Sequence, residues 1–320
     1  MTVLILRRIA WLALAGLIYI GLDATRRTIK GGDLTVVTSE FSQIGMSEYN
    51  LREPLYWFVG KILTEILGDP WRAVVIMDLA SISLFIFVIW KTGMKSYFFV
   101  VLILSPMILL GFSNIHRQLI AFLVWIFIER ITFGKSMIRS APLHLIPFLI
   151  HSSMGLMSFV YFIAQGVGKK QWKFVGATTI VSMMFVILFS DVVLSLFRGG
   201  GEITTSVTLY VGWAIIIFGL ILSVRNNPIE LIVFFLVGCG IALFLFSASA
   251  ETSGSRFFML IITTTVVWLV ASNKLASDEL RVRILRVTAA LVICIPTFTS
   301  DFSQDILWAT ARGLPYGVDQ

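Results

Sequence analysis

The stretch APLHLIPFLIHSSMGLMSFVYFIAQ, residues 141–165, decides how the chain is threaded. At about 1.5 Å per residue it is long enough, as one helix, to cross a hydrocarbon core of about 30 Å. A single crossing would leave Lys169, Lys170 and Lys173 outside and invert every later loop. The basic residues after Arg139 would then divide with three inside (Arg198, Arg256, Arg312) and eight outside (Lys169, Lys170, Lys173, Arg225, Lys274, Arg281, Arg283, Arg286). Short cytoplasmic loops carry the excess of Lys and Arg, so that division is the wrong way round. If the segment enters, bends at HSSMG and returns, the same residues divide eight inside and three outside. A bent or re-entrant helical hairpin is therefore expected over 141–165. Pro142 and Pro147 suit it, because each removes a helical hydrogen bond, and Ser152, Ser153 and Gly155 suit a tip. Irregular backbone at membrane depth persists only against protein or a water-filled cavity, so the tip points to a cavity.

The rest of the chain agrees with a bilayer setting. Its 320 residues are 58% hydrophobic and only 13% charged, with a mean hydropathy of +0.92, too apolar for a water-facing skin. Apolar runs recur at about 9–22, 71–90, 96–113, 115–131, 172–190, 207–224, 229–248, 257–272 and 283–299. The first follows Arg7 and Arg8 without a small-x-small cleavage site and is read as a retained span. Arg7 and Arg8, Lys91 and Lys95, then Arg130, Lys135 and Arg139 fall on alternate loops, which places the amino terminus inside. The expectation is an all-α integral membrane protein, a single polytopic domain over 1–320. It has about nine crossings plus the hairpin, with the amino terminus cytoplasmic and the carboxyl terminus external. Segments 23–70, 191–206 and 300–320 fall on the outer face. After Pro54, LYWFVGKILTEILGD sets Lys61, Glu65 and Asp69 four residues apart on one stripe, which predicts an interfacial helix over about 54–68.

The formal charge of +7 and pI of about 9.6 do not mark a nucleic-acid binder, because no basic block with interleaved aromatics lies in a soluble segment. Topology and membrane lipids account for the basic residues. Cys239 and Cys294 sit inside apolar runs without metal-ligand spacing and read as packing residues.

The groups that carry chemistry cluster on the outer face. SNIHRQLIAFLVW, residues 113–125, puts His116, Arg117 and Gln118 at the mouth of the fourth crossing. A lone arginine there can simply snorkel to headgroups. Arg52, Glu53, Arg198 and Arg256 also sit at or near outward helix mouths, where such residues should be scarce. Arginines converging on one cavity make a pyrophosphate site, since guanidinium offers forked donors and stays charged. His151, at the hairpin tip beside Ser152 and Ser153, is either a packing hydrogen bonder or the group that takes a proton from a hydroxyl. Counting residues from the cytoplasmic start puts it near mid-bilayer, deeper than Arg117, so a deep outward cavity must join them. Asp78, about two turns into the second crossing, must face protein, as the partner of an arginine or as a proton-transfer carboxylate. His144 reads as packing, and Gly199, Gly200 and Gly201 as a flexible loop. No P-loop, HExxH, DxD or GxSxG is present, which counts against metal-dependent transfer and serine hydrolysis.

Taken in order, SEYNLREPLYWFVGKIL, NIHRQLIAFLVWIFIE and LIHSSMGLMSFVYF resemble the EpsG-like branch of the Wzy-type polysaccharide polymerases. In that branch an acidic segment, an RQ-x-IA helix and an H-x-S element recur in this order. The resemblance is best over 48–165. It gives Glu53 the acidic position, Arg117 and Gln118 the RQ pair, and His151 with Ser153 the H-x-S element; Arg256 resembles a late outer-face arginine, and Arg198 has no family counterpart. It implies a helical bundle of the GT-C kind in the bacterial inner membrane. It also implies metal-independent polymerisation, at the outer face, of oligosaccharide units carried on undecaprenyl pyrophosphate, which serve as donor and acceptor. A Wzz-type chain-length regulator and a flippase are partners implied by the resemblance alone. His151, Glu53 and Arg117 are then the catalytic candidates, and Arg52, Gln118, Ser153, Arg198, Arg256, His116 and Asp78 the substrate-binding ones. An O-antigen ligase, sharing the donor, is the nearest alternative, and a lipid or polysaccharide transporter is the rival from another class, although no internal repeat supports it.

Overall fold

A computed structural model describes residues 33–43, 45–47, 50–92, 116–132, 137–188, 207–223, 229–247 and 251–271, together with Leu17, Ile284 and Thr288. All regular structure among them is helical. The expected crossings at 9–22, 96–113 and 283–299 lie largely or wholly outside the described residues, as do Arg198, Gly199 to Gly201, Cys294 and the carboxyl-terminal segment.

Helix α1 (Asp33–Ser42) packs on α2 (Pro54–Leu67), which turns back along α3 (Pro70–Thr92). The junctions follow from local sequence. Pro54 opens α2, where its missing N–H costs nothing. Gly68 closes it in the left-handed region at φ 68°, donating its N–H to Thr64 O at 2.8 Å. Asp69 Oδ1 accepts from the Trp71 backbone N–H at 3.0 Å and starts α3. Lys61 Nζ donates to Glu40 O at 2.7 Å and Gln43 O at 2.9 Å, capping the end of α1. α1 and α2 approach closely at Gly60, where an added Cβ would run into the Phe41 ring.

α4 (His116–Thr132) packs on α3 and is buried on nearly every side, as an all-round apolar helix must be. A single turn at Met137–Ser140 and a 3₁₀ turn at Ala141–His144 lead into α5 (Leu145–Ile150), which packs on α4 and α2. The chain then breaks at His151, whose backbone is extended (φ −155°, ψ 129°), and continues as α6 (Ser153–Gly168). It doubles back there: His144 lies against Ser158, Tyr161 and Phe162, with ring centroids 5.3 Å from Tyr161 and 5.0 Å from Phe162. Gly155 permits the tight bend, since a Cβ there would meet the Phe148 ring at 2.9 Å.

α7 (Trp172–Leu188) and α9 (Ile229–Ser247) pack on α6, and α9 packs against α8 (Val207–Ser223) and α10 (Glu251–Ala271). Among the described residues, two windows, Pro70–Phe87 and Ile229–Phe246, are long and apolar enough to cross a membrane, and only 33% of each is buried. Ile215, Leu222, Leu236 and Phe244 are exposed on α8 and α9. Unburied apolar faces of this kind suit lipid chains and not water. Cys239 is half-buried on α9.

Candidate functional site

Glu53 stands at the first position before α2, and its side chain makes no capping bond to that helix. Its carboxylate instead meets groups from two other elements. Arg117 Nη1, from the first turn of α4, donates to Glu53 Oε2 at 2.6 Å. His151 Nε2, from the hairpin tip, lies 3.4 Å from Glu53 Oε1. Arg117 also lies over the Trp57 ring, 5.3 Å from its centroid, which holds the guanidinium from below. Side-chain exposures of 14% for Arg117, 15% for His151 and 8% for Glu53 mean that the group is largely withdrawn from solvent without being sealed from it. Arg117 and His151, which the residue count along the helices separates in depth, thus meet on one carboxylate.

The protonation of His151 follows from its neighbours. The Ser153 backbone N–H, which can only donate, lies 3.2 Å from Nδ1, so Nδ1 is an acceptor. A neutral ring then carries its proton on Nε2, facing Glu53. Ser153 Oγ lies 2.8 Å from the same Nδ1, and Gln118 Nε2 donates to that oxygen at 3.3 Å. The hydroxyl therefore points its hydrogen at the ring. The order of donors runs from Gln118 through Ser153 to His151, whose Nε2 faces Glu53 at 3.4 Å, and Arg117 holds the other carboxylate oxygen.

Behind this group lies a second one. His116 Nε2 is 2.7 Å from Asp78 Oδ1, and His116 Nδ1 is 2.8 Å from Tyr56 Oη. Asp78 and His116 are 0% exposed, so neither presents an atom to a ligand in this conformation. Arg52 is exposed on the 3₁₀ turn leading to Glu53. Arg256 sits partly exposed on α10, which packs on α9, α8 and α6. Arg198 lies outside the described residues. His144 is buried among Trp125, Tyr161 and Phe162 and accepts or donates at Ser158 Oγ, 3.4 Å away.

Tyr56 and Trp57, which sequence reasoning did not single out, contact these groups through the Tyr56 hydroxyl and the Trp57 ring. The available signal was chemical: a buried tyrosine needs a partner for its hydroxyl, and a tryptophan face is the best platform for a cation. Among the described residues no group of three or more His, Cys, Asp or Glu is placed to hold a metal ion.

No curated protein and no solved structure matches the chain significantly. The model of the EpsG family matches residues 10–316, nearly the whole sequence. The chain therefore belongs to the EpsG family.

Proposed function

We propose that the protein is a glycosyltransferase that polymerises glycan units carried on undecaprenyl pyrophosphate at the outer face of the inner membrane, with Glu53, Arg117 and His151 as its reaction centre. Membership of the EpsG family supports a polysaccharide-polymerase type of activity on lipid-linked glycans. The observation that carries the assignment is the single carboxylate of Glu53 held at 2.6 Å by Arg117 and faced at 3.4 Å by His151, three residues drawn from separate elements.

In this reading Glu53, not His151, receives the proton. The His151 proton already lies on the nitrogen facing Glu53, so the ring orients the carboxylate and leaves the base's lone pairs to Glu53. An acceptor hydroxyl gives its proton to a Glu53 oxygen as its own oxygen bonds the donor's anomeric carbon. The bond from that carbon to the pyrophosphate oxygen breaks, and the electron pair leaves with the phosphate. Arg117 neutralises the charge that develops there, an effect that is largest when the donor is positioned beforehand. At rest Arg117 and Glu53 neutralise each other. A pyrophosphate that draws the guanidinium away frees the carboxylate to act as base, so donor binding precedes acceptor activation.

The test is a reconstituted assay with purified protein and lipid-linked repeat units, without an ion gradient. Wild type is expected to yield a ladder of longer lipid-linked glycans, and Arg117→Ala to yield none. A normal ladder from Arg117→Ala would end the assignment.

A further inference from the structure

Three helices meet at His116. The ring opens α4, its Nε2 lies 2.7 Å from Asp78 on α3, and its Nδ1 lies 2.8 Å from Tyr56 on α2. The carboxylate can only accept, so Nε2–H donates to Asp78, and in a neutral ring Nδ1 then accepts the tyrosyl O–H. Asp78 and His116 are 0% exposed and Tyr56 1%. Burying an acid and an imidazole together is costly compared with filling the same space with apolar side chains, so stability alone is a poor reason for the pair. Its place in the sequence supplies another reason. Arg117 is the next residue after His116, and Glu53 stands one turn before Tyr56 on α2. The contact between α2 and α4 is thus tied twice in one turn, once by Tyr56 with His116 in the interior and once by Glu53 with Arg117 at the site.

We propose that Asp78, His116 and Tyr56 are positioning residues: this buried chain of hydrogen bonds fixes the first turn of α4 against α2 and α3 so that Arg117 meets Glu53. The proposal rests on the transfer reading for what Arg117 does in turnover, but its geometric part stands apart from it. Small displacements of a preorganised donor reduce rate more than they reduce substrate affinity, by as much as about a hundredfold for about 1 Å.

The test uses purified full-length protein with Tyr56→Phe, Asp78→Leu and Asp78→Asn, each first shown to be folded by helical circular dichroism and size exclusion. Two readouts are taken: the fraction of Arg117 modified by phenylglyoxal, found by mass spectrometry, and kcat and KM for elongation of lipid-linked units. Tyr56→Phe and Asp78→Leu are expected to raise Arg117 modification several-fold and to lower kcat about tenfold or more, with KM changed less than about threefold. Asp78→Asn keeps an oxygen for His116 Nε2–H and is expected to recover most of the loss seen with Asp78→Leu. Unchanged Arg117 reactivity in both Tyr56→Phe and Asp78→Leu overturns the proposal, whatever happens to kcat. If Asp78→Leu does not fold, Tyr56→Phe, which deletes one hydroxyl, decides alone. If wild type elongates nothing while Arg117 reactivity shifts as described, the transfer reading falls and the positioning role stands.

Discussion

Breaking the ion pair between Glu53 and Arg117 should cost stability and turnover in different proportions, and a double-mutant cycle separates the two. Arg117→Ala removes the guanidinium that stands 2.6 Å from the carboxylate of Glu53, a buried residue in the intact protein. For charge centres about 4 Å apart at an effective dielectric of about 20, the direct attraction is about 4 kcal/mol. Removing one partner of a buried pair typically costs about 3–5 kcal/mol, because the other charge is left stranded. Here the lower end, about 3 kcal/mol, is expected, since His151 Nε2 still faces the carboxylate from 3.4 Å. Glu53→Gln leaves Arg117 14% exposed and seated on Trp57, so about 1.5 kcal/mol is expected. Adding the two gives about 4.5 kcal/mol, whereas the double variant strands no charge and should lose only about 2 kcal/mol, a coupling of about 2.5 kcal/mol. The assay is unfolding in mixed micelles titrated with a denaturing detergent, at one protein concentration. Turnover per folded molecule should be lost in all three variants, including the double variant whose stability recovers. Losses that add within about 0.5 kcal/mol would refute the buried pair, and turnover that returns with stability would refute its part in the chemistry.

Other outcomes follow from the same geometry. Ser153→Ala keeps the backbone N–H that sets the His151 tautomer and removes only the hydroxyl, so elongation should fall about tenfold and persist; complete loss would show a direct role for the hydroxyl. Gly60→Ala forces a Cβ onto the Phe41 ring and should destabilise by about 1–3 kcal/mol, with Phe41→Leu in the same chain restoring at least half, as read by thermal inactivation at fixed temperature. In a background without Cys239 and Cys294, Lys169→Cys should react with an impermeant thiol reagent only after the membrane is opened; labelling of intact cells would contradict the hairpin topology.

Much of the local structure was legible because it depends on backbone chemistry that single residues announce. Pro54 marks the start of α2, whose observed bounds match the expected 54–68 closely, and the run with Pro142, Pro147 and HSSMG marks the place where the chain breaks and doubles back. The RQ and H-x-S elements were legible as chemistry, and the structure brings Arg117, Gln118, His151, Ser153 and Glu53 into one group. Pairing across distance was not legible. Asp78 bonds His116 across 38 residues, and Tyr56 reaches the same ring across 60. In a soluble protein the polar face of a helix tells which side is free, but helices bounded by lipid are apolar all round, so periodicity does not say which side faces a neighbour. Residue counting along straight helices likewise set His151 and Arg117 apart in depth and could not show that both side chains reach Glu53.

An experimental structure with undecaprenyl pyrophosphate, or a lipid-linked repeat unit, bound to the purified protein tests the reaction centre most directly. Pyrophosphate oxygens within hydrogen-bond distance of the Arg117 guanidinium, with Glu53 released toward the sugar, is the expected result. A donor whose phosphates are held by other residues, with Arg117 still closed on Glu53, would contradict it.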